Sequence, residues 1–196
     1  MSRIENDRYP TPAWMVGCLK KHANITGSIF EPCAGEDKAI AQQFSRVYTN
    51  NPYYGNSNTQ LDMTIAANWR EPRNIDWVIT IPAYNGQQPS IRNAVESAKV
   101  GVAMLLGVTT DEMVMNDDVR SQWWAKTPAA LQIKMPRFSF TEGGRTGKCT
   151  MASACCQWVV WRKDEFKYPK PIIRIPYGEI TGFSRKPIVD DFFLTV

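Results

Sequence analysis

The segment "SIFEPCAGEDKAIAQQF", residues 28–44, carries the clearest indication of the fold. It opens with an apolar, strand-like segment, continues into a turn of small residues, and ends in a segment of helical composition. In that last segment apolar residues fall at 39, 40, 41 and 44, which predicts a helix over 37–44. A strand, a tight turn and a helix in this order form the repeating unit of parallel sheets. The stretch therefore predicts an α/β domain.

Further strands and helices alternate along the first half of the chain. Segments rich in Val and Ile predict strands that are mostly parallel, because strands buried on both faces have this composition. The predicted strands are "GSIFE" (27–31), "RVYT" (46–49), "DWVIT" (76–80) and "VGVAMLLGV" (100–108). The predicted helices are "PSIRNAVESAK" (89–99) and part of 109–128.

The second half of the chain has a different pattern. Two apolar segments, "LQIKMP" and "SACCQWVVW", flank a Gly-rich and basic stretch at Glu142 to Lys148, which predicts an antiparallel hairpin. The Pro-rich tail, residues 167–196, is predicted to pack on the domain in extended form. We therefore expect one domain over 1–166, followed by this tail.

Composition limits the classes of function. The chain has 196 residues, 43% of them hydrophobic and 21% charged, as expected for one globular domain. The net charge of +4 permits a nucleic-acid partner without requiring one. Five cysteines form no CxxC pair and His22 is the only histidine, so a zinc site is not expected.

The sequence favours an intracellular protein. The first ten residues, "MSRIENDRYP", are charged and lack the apolar core of a signal peptide. The longest apolar run, near residues 100–108, is too short to cross a bilayer. An odd number of cysteines without disulfide-like spacing indicates a reducing compartment. We expect a soluble, cytoplasmic protein that does not bind membranes.

The turn after the first strand is a candidate ligand site. Ala34 and Gly35 would let a ligand approach the backbone closely, and Glu31 could accept hydrogen bonds from a ligand amine or hydroxyl. In α/β folds, nucleotides bind at the carboxyl edge of the sheet, beside the start of the next helix. The alternative is an ordinary turn in which Asp37 caps that helix.

The segment "EPCAGED" resembles the first motif of S-adenosylmethionine-dependent methyltransferases, an acidic residue followed by Pro-x-Ala-Gly-x-Gly. Glu31, Pro32, Ala34 and Gly35 match this motif, and Asp37 stands where the family has its last glycine. The resemblance implies a Rossmann-like methyltransferase sheet with S-adenosyl-L-methionine as cofactor.

A second motif lies upstream. The segment "RYPTPAWMVGCLKKH" (8–22) resembles the Tyr-x-Thr-Pro segment of DNA adenine methyltransferases. The resemblance implies that Tyr9, Thr11 and Pro12 lie near the methionine end of the cofactor. Without any ligand, the same residues predict a helix start, with Thr11 as N-cap and Pro12 at the first helical position.

Two further positions complete the implied cofactor site. Asp62, in "QLDMTIAANW" (60–69), corresponds to the acid that binds the adenine amino group of the cofactor in the family, although a solvated loop aspartate would look the same. The acid that binds the ribose after the second strand is missing. Asn50 and Asn51 stand there instead, and they can form hydrogen bonds but carry no charge.

The segment "ITIPAYN" (79–85) takes the place of the catalytic motif, which in the family reads Asn or Asp, Pro, Pro and an aromatic residue after the fourth strand. This chain has Ile81, Pro82, Ala83 and Tyr84. The resemblance implies that Ile81, Pro82 and Tyr84 lie at the catalytic position, with Tyr84 stacked on a flipped base. Ile81 has no hydrogen-bond acceptor in its side chain.

DNA contacts are expected at two places. Tyr84 and Asn85 would contact the target base, and Arg145 and Lys148 of the basic turn would contact the phosphate backbone. A plain exposed turn explains Arg145 and Lys148 equally well. The resemblance runs collinearly over residues 8–162 and is to the small, phage-type DNA adenine methyltransferases.

Three functions remain open from the sequence. The first is an enzyme that methylates the exocyclic amine of adenine in DNA with S-adenosylmethionine. The second is a catalytically inactive relative that binds nucleic acid, cofactor or a protein partner. The third is a methyltransferase whose acceptor is not adenine. Ile81, Asp37 and the missing ribose acid favour the second. The collinear resemblance favours retained cofactor binding, as do the retained residues Glu31, Gly35, Pro82 and Tyr84.

Overall fold

The structure is a computed structural model that describes residues 11–51, 55, 57–63, 65–70, 74–82, 87–108, 110, 118–136 and 155–176. At Arg70 and at residues 118–121 only the backbone is described. Within these ranges, none of the helices combines the length and the apolar character that crossing a bilayer requires.

The described residues form one mixed sheet with helices beside it. The helices are α1 (Ala13–His22), α2 (Gln87–Ser97) and α3 (Asp118–Lys126), with a short 3-10 helix at Ala66–Arg70. The strands are β1 (Ile29–Glu31), β2 (Val47–Thr49), β3 (Trp77–Thr80), β4 (Gly101–Gly107), β5 (Leu131–Lys134), β6 (Cys156–Arg162) and β7 (Ile172–Arg174).

The sheet has the strand order β2-β1-β3-β4-β6-β5-β7. The first four strands of this order are mutually parallel, and β6 runs antiparallel between β4 and β5. This confirms the predicted α/β sheet, mostly parallel with an antiparallel pair from the C-terminal half. The chain passes from β1 to β2 on one side and then to β3 on the other, so the strand order reverses between β1 and β3.

Each face of the sheet carries its own apolar core. On one face α1 contributes Met15, Val16 and Leu19 to a cluster with Trp77 and Trp158. The indole nitrogen Nε1 of Trp158 also donates a hydrogen bond to the backbone carbonyl of Met15, at 2.8 Å.

On the other face α2 packs against the sheet. Ile91 and Ala94 join a cluster with Val78 and Val102, and Trp161 closes it beside α3. Because both faces are covered, strands β3 and β4 are buried almost throughout, which explains their continuous apolar sequences.

A polar clamp joins β1 and β3 at their amino ends. The carboxylate of Asp76 accepts hydrogen bonds from the backbone N–H and the hydroxyl of Ser28, at 2.7 and 2.8 Å. These bonds lower the pKa of Asp76. Gly27, with φ of +100°, brings the chain around this carboxylate.

All four strands predicted in the first half are present, with bounds one or two residues shorter. The predicted helix over 89–99 is confirmed as α2, which begins two residues earlier, and α3 confirms the partial helix within 109–128.

The prediction of a helix over 37–44 is wrong. The chain there makes successive turns, with Lys38 in the left-handed region at φ 47°. The Ala41 backbone N–H donates to the Glu31 carboxylate, and the Ala39 N–H donates to that of Asp37. Because these two amides are bonded to side chains, a regular helical hydrogen-bond ladder does not form.

The C-terminal half follows the predicted pairing. Strands β5 and β6 pair antiparallel, with Leu131 opposite Val160, as the hairpin prediction requires. The turn predicted at 142–148 lies outside the described residues.

The tail adds a strand that was not predicted. Strand β7 pairs parallel with β5 and so forms one edge of the sheet. Arg162 packs against the start of the tail, 5.9 Å from the ring centre of Tyr168, and against the preceding Phe166, 4.5 Å from its ring centre. The proposed division between residues 166 and 167 stays a prediction.

Candidate functional site

The candidate site is the crevice at the carboxyl ends of β1 and β3. These strands are parallel neighbours, with Ile29 opposite Trp77 and Phe30 opposite Val78. The loop that follows Glu31 and the segment that follows Thr80 therefore leave the same edge of the sheet, where the strand order reverses. Ligands of open α/β sheets bind at this point of the topology.

Glu31 lies beneath the loop rather than on its surface. The residue is 3% exposed, and its carboxylate accepts a hydrogen bond from the Ala41 backbone N–H at 3.2 Å. Burial raises the pKa of Glu31 to about 7, against the lowering effect of that bond. Its predicted contact with a ligand stays a prediction, and the described bond holds the turn segment over β1.

The loop 32–35 has a buried part and an exposed part. Pro32 and Ala34 are buried, whereas Gly35 is exposed. A Cβ at Gly35 would lie 3.0 Å from Oδ1 of Asp37, so the glycine leaves room for that carboxylate. Gly35 is thus the exposed end of this loop, and the exposed Asp37 follows two residues later.

Asn50 occupies the place of the missing ribose acid, and it faces the protein interior. Its amide nitrogen donates to the backbone carbonyls of Pro32 and Leu61, both at 2.9 Å. Its amide oxygen accepts from the Thr59 hydroxyl at 2.8 Å and from the Leu61 N–H at 2.7 Å. With 0% exposure, Asn50 joins two loops and presents no group to a ligand.

Asn51 strengthens the same junction. Its side-chain amide donates to the carbonyl of Ala34, and its backbone N–H donates to Thr59 at 3.0 Å. The sequence had suggested that both asparagines replace, without charge, the acidic residue that binds the ribose of the cofactor. A signal for the structural role was present in the small and polar residues of 57–60, which suit a tight turn.

Asp62 lies directly after this junction and is exposed. Its backbone carbonyl accepts hydrogen bonds from the Asn68 side chain at 2.8 Å and from the Ile65 N–H at 3.2 Å. The segment bearing Asp62 is therefore held on both sides. The structure brings it to the same edge as the loop 32–35, through Asn50.

The segment after β3 carries the residues compared with a catalytic motif. It follows the third strand of the described residues, and not a fourth strand, after which the resemblance would place the catalytic motif. Pro82 is buried, and Ile81 is half-buried and packs against the core cluster that includes α1. The hydroxyl of Thr80 is buried and has no hydrogen-bond partner among the described residues. Tyr84 and Asn85 lie outside the described residues.

The start of α1 is close to the turn segment that follows β1. The side-chain amide of Gln43 donates to the Ala13 carbonyl at 2.7 Å, and Lys20 Nζ donates to the Gln43 carbonyl at 2.8 Å. The prediction that Thr11 caps the helix is wrong by one residue. The N-cap is Pro12, whose carbonyl accepts a hydrogen bond from the Met15 N–H at 3.0 Å. No side chain caps the helix there.

Three candidate residues, Tyr9, Arg145 and Lys148, are outside the described residues. His22 is the last residue of α1. Across the part of the chain that the structure describes, no three His, Cys, Asp or Glu side chains are placed to hold a metal ion.

Comparisons with known proteins bear on the fold. The sequence matches no protein-family model and no curated protein. Two solved structures of 13% identity resemble this one. A protein assigned to the class I S-adenosylmethionine-dependent methyltransferases, from Listeria monocytogenes, gives a TM-score of 0.56 over 92% of this chain and 69% of its own. A protein described as an O-methyltransferase, from Agrobacterium tumefaciens, gives 0.50 over 93% and 95%.

At this level of identity the likeness concerns the fold. The described residues form a mixed, seven-stranded sheet that matches the folds of these two solved structures, which confirms the predicted Rossmann-like architecture.

Proposed function

We propose that the protein is an S-adenosylmethionine-dependent methyltransferase that acts on the exocyclic amine of adenine in DNA. One observation carries the proposal. In a sheet with the class I methyltransferase fold, the loop from Glu31 to Gly35 and the segment at Ile81 and Pro82 leave the same edge, at the reversal of strand order.

The residues at this edge suit the cofactor. S-adenosylmethionine carries a cationic sulfonium, an ammonium group and an adenine amine, all of which favour carboxylate partners. The edge offers the exposed carboxylate of Asp62 and the buried one of Glu31. Burial disfavours the charged form of Glu31. A cationic ligand nearby would oppose this effect, because its charge attracts the carboxylate. Gly35 leaves the surface of the loop open.

The target base would lie beside Pro82. When bound, the cofactor would supply a methyl group on its sulfonium. The amine nitrogen of adenine would form a bond to this methyl group as the carbon–sulfur bond breaks, and the amine would release a proton. The Pro82 carbonyl would accept a hydrogen bond from that amine, and Tyr84 would stack on the base. The basic net charge of the chain is compatible with a DNA partner.

Ile81 argues for a slow enzyme or an inactive one. The loss of one preorganised hydrogen-bonding group at a reacting centre raises the barrier by about 3–4 kcal/mol, roughly a hundred- to a thousand-fold in rate. Ile81 also packs against the core, so its side chain has a structural role of its own. This observation favours a second candidate function, a catalytically inactive protein that binds cofactor or nucleic acid.

Two assays separate the candidates. Calorimetry with S-adenosylmethionine and S-adenosylhomocysteine tests the cofactor site, and transfer of a labelled methyl group to DNA tests catalysis. Binding with transfer is expected for the enzyme. Binding without transfer to DNA, RNA or protein would leave the inactive binder, and transfer to RNA or protein alone would replace the DNA target.

A further inference from the structure

We infer that Asn50 is a positioning residue, which fixes Asp62 against the loop 32–35 so that the two act as one cofactor-binding surface. The inference rests on the proposed function. It assigns Asn50 a role different from ribose binding, because the Asn50 side chain faces away from the crevice and into the junction of two loops.

The hydrogen bonds of Asn50 are complete. Two protons of its amide nitrogen reach Pro32 and Leu61, and its oxygen accepts two bonds from the segment 59–61. Its backbone joins the same elements, because Asn50 N–H donates to Glu31 at 2.9 Å and its carbonyl accepts from Ala34 at 2.9 Å. A fully bonded, buried amide of this kind permits one arrangement of the surrounding loops.

The Asn50 side chain bonds both segments directly, to Pro32 on one side and to Thr59 and Leu61 on the other. Asn51 adds a side-chain bond to the loop 32–35 and a backbone bond to Thr59. On its C-terminal side Asp62 is held by bonds from Ile65 and Asn68, and on its N-terminal side Asn50 bonds the neighbouring Leu61. Loss of the Asn50 bonds would loosen Asp62 relative to the loop 32–35, and a ligand that contacts both would bind more weakly because binding would have to order the segment.

The test uses Asn50→Asp in the full chain. The substitution preserves the shape of the side chain but removes both protons that bond Pro32 and Leu61, and a carboxylate would face two carbonyls. Thr59→Val is a milder second variant that removes one bond to Asn50. Ser28→Ala is the matched control, because it removes hydrogen bonds to Asp76 at the opposite edge of the sheet.

Affinity for S-adenosylhomocysteine is measured by calorimetry for each variant, for Asp62→Asn, and for Asn50→Asp combined with Asp62→Asn. Circular dichroism and thermal unfolding show which variants fold, and the Thr59→Val series replaces the Asn50→Asp series if the latter does not fold. We expect a tenfold or larger loss of affinity in Asn50→Asp, a smaller loss in Thr59→Val, and no change in Ser28→Ala.

The combined variant gives the readout that a purely structural role would not move. If Asn50 acts by placing Asp62, the loss in the combined variant is smaller than the product of the two single losses. Losses that multiply, or an unchanged affinity in both Asn50→Asp and Thr59→Val, would overturn the inference while leaving cofactor binding intact. Failure of the wild-type protein to bind would overturn the inference and the proposed function together.

Discussion

The carboxylate of Glu31 accepts a hydrogen bond from the backbone N–H of Ala41, at 3.2 Å, beneath the surface of the candidate cofactor loop. Because the Ala41 N–H bonds this carboxylate, it is not part of the helix that the sequence predicts over 37–44. The bond also leaves a titratable group 3% exposed at the end of β1, with its pKa raised to about 7 by burial. This makes the stability of the protein dependent on pH.

Replacement of Glu31 by Gln should stabilise the protein at high pH. Because the pKa of Glu31 is higher in the folded state than its ordinary value of 4.5, the folded state binds more protons between pH 4.5 and 7, and stability falls as pH rises through that window. Glu31→Gln keeps an acceptor for Ala41 and removes the charge. At pH 8 the free energy of unfolding should be higher in Glu31→Gln than in the wild-type protein by up to about 3 kcal/mol. At pH 4.5 or below the two proteins should differ little.

Urea unfolding of both proteins at several pH values measures this difference. Glu36→Gln, at an exposed neighbouring carboxylate, controls for the change in net charge. An advantage of Glu31→Gln that does not change with pH would show that Glu31 is not the titrating group.

Replacement of Gly27 by Ala should destabilise the clamp between β1 and β3. Gly27 has φ of +100°, and a Cβ there would lie within 2.8 Å of the Cγ of Asp76. The left-handed backbone alone costs about 1–2 kcal/mol with a side chain, and displacement of Asp76 adds the loss of its bonds to Ser28.

Gly17→Ala provides the matched control within α1. A Cβ at Gly17 meets only Gln43 Oε1, at 3.8 Å, and alanine in a helix interior is favoured over glycine by about 1 kcal/mol. Thermal unfolding should therefore shift in opposite directions for the two variants. Equal shifts would contradict the described geometry of Gly27.

Replacement of Ile81 by Asn should raise methyl transfer to DNA. The variant supplies the side-chain acceptor that the catalytic position lacks, and the expected gain is up to roughly a hundredfold. It also removes apolar contacts with the core cluster, so its unfolding temperature should fall.

Ile81→Val keeps an apolar side chain and serves as the control for packing. Rates of labelled methyl transfer, measured at a temperature where all three proteins are folded, decide the outcome. If the wild-type protein is active and Ile81→Asn is no faster, Ile81 does not occupy the catalytic position.

The sequence was sufficient for the strands because their apolar, β-branched segments are long relative to the turns between them. Val78 and Ile79, for example, are buried on opposite faces of the sheet. Strand β3 is therefore apolar at successive positions, and it can be recognised without an alternation of apolar and polar residues. The helix over 37–44 failed for the opposite reason. Its composition is helical, but a buried carboxylate 10 residues away in sequence takes the N–H of Ala41.

The candidate site was predicted in position but not in its internal bonding. The motif around Glu31 and Gly35 located the carboxyl edge, which depends only on strand order. The role of Asn50 depends on contacts with Pro32, 18 residues away, and with Leu61, 11 residues away. A local sequence pattern does not reveal such contacts. From the sequence, Asn50 therefore resembled an uncharged replacement for the acidic residue that binds the ribose.

Calorimetric titration of the full chain with S-adenosylmethionine at neutral pH decides whether the protein has the proposed cofactor site. The proposed site predicts saturable, one-to-one binding that weakens in Asp62→Asn and is unchanged in Ser28→Ala. An absence of binding at millimolar cofactor, in a protein shown to be folded by circular dichroism, would contradict the proposed function.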